Sequence, residues 1–173
     1  AATSGNVELI ELLRQNSDEI DIYALNKVEM NAIHMAFFAE KIEAINYLLP
    51  LFIDKLNDKT KNGETLFQIA CKRGSVKLSK LLINQPGVDI NVCDNEGMTP
   101  FLWGVKEGKF ELIKALVESN KCNINDSAKD GKNAFLIAVE LQNMELIKYF
   151  IDLYSQYNKP KSKSKSKSKK NKQ

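Results

Sequence analysis

Apolar side chains recur along this chain with the spacing of one face of an α-helix. In each of four nine-residue segments, apolar positions fall at i, i+2 or i+3, i+6 and i+7, which forms one stripe of an amphipathic helix. The segments are residues 41–49, 75–83, 109–117 and 143–151. A fifth copy opens the chain at residues 6–13, with most of its partner helix missing. The pattern predicts a row of similar short helices.

A second motif precedes each of the four segments, and the whole arrangement repeats at an offset of 34 residues. Its copies are residues 28–36, 62–70, 96–104 and 130–138. Each copy ends in a small residue, and this column consists of Ala36, Ala70, Gly104 and Ala138. A glycine recurs near the start of three copies, at Gly63, Gly97 and Gly131. The glycines fit a tight turn that needs a positive φ.

The repeat also predicts a helix in each copy of this motif, and this helix is the first of the two in each unit. Four polar residues are placed to cap its amide groups, and these are Asn31, Thr65, Thr99 and Asn133. Two short helices cannot bury both apolar faces alone, so stacked units must share one continuous core. We expect the small-residue column to lie where helices of adjacent units approach closely. The fold class is therefore all-α, a solenoid of helix–turn–helix units joined by short hairpin-like turns.

The motif resembles the ankyrin signature T-P-L-H-x-A. The best copy reads Thr99-Pro100-Phe101-Leu102-Trp103-Gly104. His34 lies in the histidine column of that signature, and Asp94 matches the aspartate that opens the family unit. The resemblance covers roughly residues 1–157 and departs from the family in two respects. The units run 34 rather than 33 residues, and Glu29 replaces the turn glycine, so we expect a distorted turn there.

The repeat divides the chain into an array, residues 1–157, and a tail, residues 158–173. The array comprises a partial unit, 1–25, and the units 26–59, 60–93, 94–127 and 128–157. The last unit lacks the Asp-Ile-Asn turn after its second helix, so we expect it to be a terminal capping unit. The first residues have no such cap, and we expect further repeats upstream.

Charge separates the array from the tail. Residues 159–173 carry eight Lys and no acid, whereas the chain as a whole has a net charge of +3, so the rest carries −5. The alternating Lys and Ser cannot bury apolar surface, and we expect a disordered tail. It could contact nucleic acid, an anionic membrane, an acidic protein surface or a nuclear import receptor. A plain solubilising terminus is the alternative.

Little in the composition suits catalysis or metal binding. The chain has one histidine, His34, and three dispersed cysteines without a CxxC pair. These residues have neither the number nor the spacing of a catalytic set or of zinc ligands. We predict no enzyme, no cofactor, no metal and no small-molecule substrate.

We interpret His34 as a structural residue that bonds backbone at a turn, and Trp103 as a core residue because its column is apolar. Reduced cysteines and no membrane span favour an intracellular protein, cytoplasmic in preference to nuclear.

The ankyrin resemblance implies protein binding along a concave face made from the turn tips and the exposed side of each first helix. Carried over column by column, this concave strip comprises Met30, Phe38, Lys61, Glu64, Lys72, Arg73, Glu96, Met98, Lys106, Glu107, Lys129, Lys132 and Glu140. Phe38 and Met30 are the candidates for a buried anchor. The competing interpretation is a merely solvated, charged face.

We therefore interpret the chain as a scaffold or adaptor segment that recognises a protein partner and is attached further by its basic tail. The alternative is a non-catalytic targeting or regulatory module of a larger enzyme or channel. A nucleic-acid binder is disfavoured because the array is acidic. We expect the array to be a monomer.

Overall fold

The computed structural model describes residues 1–15 and 21–157. Within these ranges the chain is all-α, as predicted, and a single isolated bridge joins Ser127 and Asn133. The helices are α1 (Val7–Gln15), α2 (Ala32–Phe38), α3 (Ile42–Leu48), a 3₁₀ segment (Leu49–Lys55), α4 (Leu66–Lys72), α5 (Val76–Ile83), α6 (Pro100–Lys106), α7 (Phe110–Glu118), α8 (Ala134–Glu140) and α9 (Met144–Tyr157). The predicted tail, residues 158–173, lies outside the described residues.

The first helix of each unit begins at the predicted capping residue. The side chains of Asn31, Thr65, Thr99 and Asn133 each accept a hydrogen bond from the backbone N–H three residues on. Such a cap contributes about 0.5–2 kcal/mol to helix stability. At Thr65 the cap is reciprocal, because the Gln68 side chain accepts from the Thr65 N–H. Local sequence therefore sets where these helices start.

The turn before each first helix has the positive φ that the glycines predict. Gly63 has φ +77°, and a Cβ there would lie 2.5 Å from the Asn95 side chain of the next unit. Neighbouring turns are linked by backbone hydrogen bonds from Lys61 N to Val28 O and from Asn95 N to Asn62 O, both 3.1 Å long. A side chain at Gly63 would separate these turns.

The turn at Glu29 is not distorted, and that expectation is wrong. Glu29 adopts φ 59°, so it takes the left-handed conformation in place of glycine. Asn26 Oδ1 accepts from the N–H groups of Val28 and Met30, as Asp94 Oδ1 accepts from Glu96 and Met98 in a later unit. The side-chain bonds of Asn26 hold the turn in the same geometry despite the strain at Glu29.

The small-residue column packs within its own unit rather than between units. A Cβ at Gly104 would meet Leu112 and Ile113 of α7 at 3.5–3.6 Å, and α7 is the second helix of the same unit. The carbonyl of each column residue also accepts from the backbone at the start of the second helix, as between Lys109 N and Gly104 O at 3.1 Å. The column therefore allows close packing of the two helices of one hairpin.

One core runs through the stack. The first helices α2, α4, α6 and α8 pack in sequence against one another, and α5 packs against α7 in the second row. The core includes Phe37, Phe67, Leu102 and Phe150, all almost wholly buried. Each unit thus buries apolar surface against its neighbours as well as within its own hairpin, as expected for a solenoid.

The last unit does not have the polar outer surface of a capping unit, so that expectation is wrong as well. Four of its apolar side chains, Leu136, Val139, Met144 and Ile151, are 45–61% exposed. A solubilising cap would carry polar residues at these positions.

Candidate functional site

A depression opens beside the turn tips, where the units 26–59 and 60–93 meet. We call it the apolar depression, because Val28, Met30, Phe38 and Ile69 contribute its apolar lining. Its volume is about 590 Å³. The polar lining consists of Thr60, Asn62, Glu64, Lys72, Arg73 and Glu107. The fold places these residues together because α2 and α4 both end at this side of the stack, at Phe38 and Lys72.

Phe38 is the most prominent side chain of the apolar depression. It is 52% exposed although it is the last residue of a helix whose other large side chains are mostly buried. The Arg73 guanidinium lies 4.9 Å from the centre of the Phe38 ring, and its Nε lies 3.2 Å from Glu40 Oε1. Such a cation–π contact is worth about 0.5–1 kcal/mol at an exposed site. Arg73 therefore contacts both Phe38 and Glu40.

Trp103 lies next to the apolar depression and binds two lysines. Lys72 Nζ and Lys106 Nζ lie 4.3 Å and 4.5 Å from the centre of its ring. The indole N–H donates to Asp94 Oδ2 at 2.6 Å, and Lys72 Nζ also lies 2.7 Å from Glu64 Oε1. Trp103 is buried, as predicted from its apolar column, but it also fixes the charged groups of the groove.

A second depression, of about 290 Å³, lies between the units 94–127 and 128–157. Lys132 Nζ pairs there with Glu140 at 2.7 Å and with Asp130 at 3.5 Å. The hydrogen bond to Glu140 raises the pKa of Lys132, and the Lys132 backbone N–H lowers the pKa of Asp130. These groups are exposed to solvent, so the charges are screened and the pairing contributes little to stability.

The structure brings together most of the concave strip, but not all of it. Met30, Phe38, Glu64, Lys72, Arg73 and Glu107 line the apolar depression. Met98, Lys106, Lys132 and Glu140 line the second depression. Glu96 lines a smaller cleft of about 190 Å³ beside Trp103. Lys61 and Lys129 lie apart from these three depressions, exposed at turn tips where their backbone N–H groups bond the preceding turn.

Met98 requires a correction. We predicted an exposed contact residue, but its side chain is only 5% exposed. Asp94 Oδ1 accepts from the Met98 N–H, and the Met98 carbonyl accepts from Gln68 Nε2, so the turn folds this residue inward. Met98 thus contributes to the floor of the second depression and does not project from it.

Ile69 and Trp103 are among the groove residues that the prediction missed. Both lie in an apolar column of the first helix, and for that reason they were assigned to the core alone. The available signal was the pair of lysines, Lys72 and Lys106, that follow these residues by three positions on their own helices.

The titratable residues outside the groove have structural contacts. His34 is buried, with Nδ1 2.7 Å from Asn31 Oδ1 and Nε2 3.3 Å from the Asp58 carbonyl, which confirms its structural role at a turn. Burial raises the pKa of Cys71 and of Cys122 to about 12, which makes both thiols poor nucleophiles.

Among residues 1–15 and 21–157, no group of three His, Cys, Asp or Glu side chains is placed to hold a metal ion. None of the described helices is long and apolar enough to cross a membrane.

The stacked two-helix units with hairpin turns define a helical-repeat solenoid. Family models for ankyrin repeats match residues 1–49 and residues 51–128. The chain belongs to the ankyrin repeat family. Ankyrin repeats generally mediate protein–protein interactions and are typically non-catalytic.

Two curated proteins are similar to parts of the chain. The nuclear factor NF-kappa-B p105 subunit of Gallus gallus is 25% identical over 101 residues, which cover 58% of this chain and 10% of that protein. The SMC5-SMC6 complex localization factor protein 1 of Bos taurus is 43% identical over 53 residues, which cover 30% of this chain and 5% of that protein. The similarity thus covers a tenth or less of either relative.

Proposed function

We propose that the array is a scaffold or adaptor that recognises one protein partner through the groove along its turn tips. The apolar depression carries this proposal. It combines exposed Phe38 with Met30, Val28 and Ile69 and is bordered by charged side chains. A central apolar anchor within a polar rim is the usual arrangement of binding energy in protein interfaces.

The groove charges already have partners within the array. Lys72 lies between Glu64 and Trp103, and Arg73 between Glu40 and Phe38. Side chains that keep such contacts when a partner binds lose less conformational entropy on binding. A partner segment with an apolar anchor residue flanked by charged residues fits this arrangement.

The groove proposal is tested by capturing partners on the intact chain at low and moderate salt and measuring their affinity for variants. Phe38→Ala and Arg73→Glu are each expected to weaken binding by about tenfold or more. Ile53→Ala is the matched control for Phe38→Ala, because Ile53 is 47% exposed and lines a different depression on α3 and the 3₁₀ segment. Lys77→Glu, on the exposed side of α5, is the control for Arg73→Glu.

Equal losses from all four variants, or no loss from any of them, would contradict the groove as the binding site. Circular dichroism and thermal denaturation should show that the variants remain folded, since Phe38, Arg73, Ile53 and Lys77 are all exposed.

The same array also fits a non-catalytic targeting module within a larger enzyme or channel. Its similarity to the two curated relatives covers only 10% and 5% of their lengths, so in those proteins the similar segment is a small part of the whole. Both alternatives require the groove to bind a protein. We propose an intracellular setting for either, because the three cysteines of the chain are free in the structure.

The Lys/Ser tail, residues 158–173, is proposed as an electrostatic attachment to an anionic surface. Its eight Lys contrast with the net −5 of the remaining chain. If it binds labelled duplex DNA, chosen as a polyanion probe, each phosphate neutralised adds roughly −0.9 to the log–log salt slope. Eight contacts would give a slope of about −7 and partial engagement about −3 to −5.

Deletion of residues 159–173 should abolish that salt-dependent binding and leave partner binding by the groove and thermal stability unchanged. Anionic vesicles and an acidic peptide are the parallel probes for the other surfaces. Absence of salt-dependent binding to all three probes would show that the tail is a solubilising terminus.

A further inference from the structure

Asn62 is the one asparagine of the sequence that is followed by glycine. It lies at the tip of the turn before α4, where it lines both the apolar depression and the smaller cleft beside Trp103. The residue is exposed, and its side chain makes no hydrogen bond to any residue in the ranges 1–15 and 21–157. Its carboxamide is therefore available to react with the neighbouring backbone.

Several other asparagines at turns use their side chains to hold the fold. Asn31 caps α2 by accepting a hydrogen bond from a backbone N–H. Asn57 Oδ1 accepts from Asp89 N at 2.9 Å, and Asn91 Oδ1 accepts from the backbone of the next unit in the same way. A side chain engaged like this must break its bond before it can react. Asn62 has no such barrier.

An asparagine followed by glycine can lose ammonia without an enzyme. The Gly63 nitrogen gives up its proton and attacks the Asn62 Cγ, so a bond from this nitrogen to Cγ forms and the bond from Cγ to Nδ2 breaks. The proton leaves with Nδ2 as ammonia, and a cyclic imide (a succinimide) remains. Glycine favours this step because it has no Cβ to hinder the approach of its nitrogen.

Water then opens the succinimide in one of two ways. Attack at Cγ restores the original backbone and leaves aspartate at position 62. Attack at the main-chain carbonyl carbon of residue 62 breaks the original peptide bond and leaves isoaspartate, in which the backbone runs through Cγ. Either route consumes one water and releases one ammonia overall, and nothing is oxidised or reduced.

We propose that Asn62 is a site of spontaneous deamidation, and that the hairpin of the next unit slows the reaction. The Gly63 N–H donates to the Thr60 carbonyl at 2.7 Å, so this bond must break before the nitrogen can attack. Asn95 of the next unit covers the turn, because its backbone N would lie 2.8 Å from a Cβ at Gly63. Asn95 N also donates to the Asn62 carbonyl at 3.1 Å. Separation of the two hairpins therefore promotes the reaction.

The two products affect the groove differently. Both place a carboxylate near Glu64, which lines the same depressions and pairs with Lys72 at 2.7 Å. Isoaspartate also lengthens the backbone by one methylene group and converts the Asn62 carbonyl, which accepts from Asn95 N, into a carboxylate. We expect aspartate to change the charge of the groove alone, and isoaspartate to loosen the contact between the hairpins as well.

Incubation of the full chain at mildly alkaline pH, followed by peptide mass spectrometry, tests the site. Conversion of amide to acid is expected at residue 62 before any other asparagine of residues 21–157. Asn62→Gln is the control, because glutamine must form a larger ring and reacts more slowly. In urea, residue 62 should react about tenfold or more faster than in the folded chain, since the turn is already open. Earlier reaction at another of these asparagines, or equal rates with and without urea, overturns the proposal.

Asn95→Gly tests the shielding by the next hairpin. It removes the side chain that covers Gly63 and donates to the Lys61 carbonyl at 3.0 Å. Deamidation at residue 62 should become about two- to tenfold faster, the effect of losing one hydrogen bond from the closed turn. Asn91→Gly is the matched control, because it removes a similar bond between the same two neighbouring turns' partners elsewhere in the stack, to the backbone of the next unit. Equal acceleration by both variants, or by neither, would contradict the shielding.

The products, separated by ion-exchange chromatography, test the effect on the stack. The isoaspartyl form should melt about 2–4 °C below the Asn62→Asp variant, because it loses about one backbone hydrogen bond. Asn62→Asp is the matched control, since it carries the same charge on an unchanged backbone. Equal melting temperatures would contradict the loosening that we assign to isoaspartate.

Discussion

The units 94–127 and 128–157 carry leucine and valine at the same columns of their first helices, yet these residues lie in different environments. Leu102 and Val105 are wholly buried, and their counterparts Leu136 and Val139 are about half exposed. The residue types are the same, so the difference comes from the next unit of the stack. In a repeat array, a position is buried by its neighbour and not by its own sequence alone.

The largest effect on the free energy of unfolding is expected in the column of Leu102 and Leu136, where the exposed fractions of the two side chains differ most. Leu102→Ala should lower the free energy of unfolding by about 2–5 kcal/mol, because it removes buried apolar surface and leaves a cavity. Leu136→Ala should lower it by less than about 1 kcal/mol, since the half-exposed side chain contributes less burial. Urea unfolding measures both.

Equal losses from Leu102→Ala and Leu136→Ala would mean that the last unit is covered as fully as an interior one.

Substitutions in the small-residue column should have the same effect in an interior unit and in the last unit. Ala70 and Ala138 are both wholly buried, and the neighbours of the column residue Gly104 belong to its own hairpin. Ala70→Leu and Ala138→Leu should therefore each lower the free energy of unfolding by about 1–3 kcal/mol, through overpacking within one unit.

Gly104→Ala is the control for that prediction, because a methyl group there makes only ordinary contacts at 3.5 Å or more. It should raise the free energy of unfolding by about 0.5–1 kcal/mol, since alanine is favoured over glycine inside a helix. If Ala70→Leu melts like the parent, or if only Ala70→Leu and not Ala138→Leu is destabilising, the column does not pack within the hairpin.

Sequence alone predicts the repeat, the caps and the turns because these depend on local residues at fixed spacing. Asn31 and Thr99 cap their helices, and Gly63 has positive φ, as their positions indicate. The 3₁₀ segment Leu49–Lys55 was not predicted. It forms in one unit, where Phe52 is buried and its ring packs edge-on against Tyr23 from the partial unit, 4.9 Å away.

The groove residues were predictable only in part, because local spacing identifies some of them and the others depend on contacts between units. Column positions identified Phe38, Arg73 and Lys72 as neighbours, because turn tips and helix ends repeat every 34 residues. Burial of Met98 and the double lysine contact at Trp103 depend on the paths of side chains from two units. The exposure of Leu136 and Val139 depends on whether another helical unit packs against the last one, and the repeat pattern does not contain that information.

An effect of pH, rather than of packing, is expected in the column that holds His34, Gln68, Leu102 and Leu136. His34 and Gln68 both bridge backbone: Gln68 Nε2 donates to the Met98 carbonyl at 2.8 Å, and His34 Nε2 lies 3.3 Å from the Asp58 carbonyl. Burial lowers the pKa of His34, and the Asp58 carbonyl raises it by a smaller amount. The unfolded chain therefore binds a proton at His34 more readily than the folded chain. The stability that neutral His34 contributes is complete above the unfolded pKa of about 6.5 and is lost as the pH falls below it.

His34→Gln should remove this dependence, because glutamine can make the bridging bonds that Gln68 makes and carries no charge. Between pH 7.5 and 5, the parent should lose more free energy of unfolding than His34→Gln, by at most about 1.4 kcal/mol per pH unit for one proton. Gln68→His is the reciprocal variant, since it places a buried histidine one unit along the stack and should add a similar acid sensitivity. Carboxylates that titrate in the same range are common to all three chains, so the differences between urea unfolding curves isolate the histidine. Identical pH profiles for the parent and His34→Gln would mean that His34 has the same pKa in the folded and the unfolded chain, so that burial does not lower it.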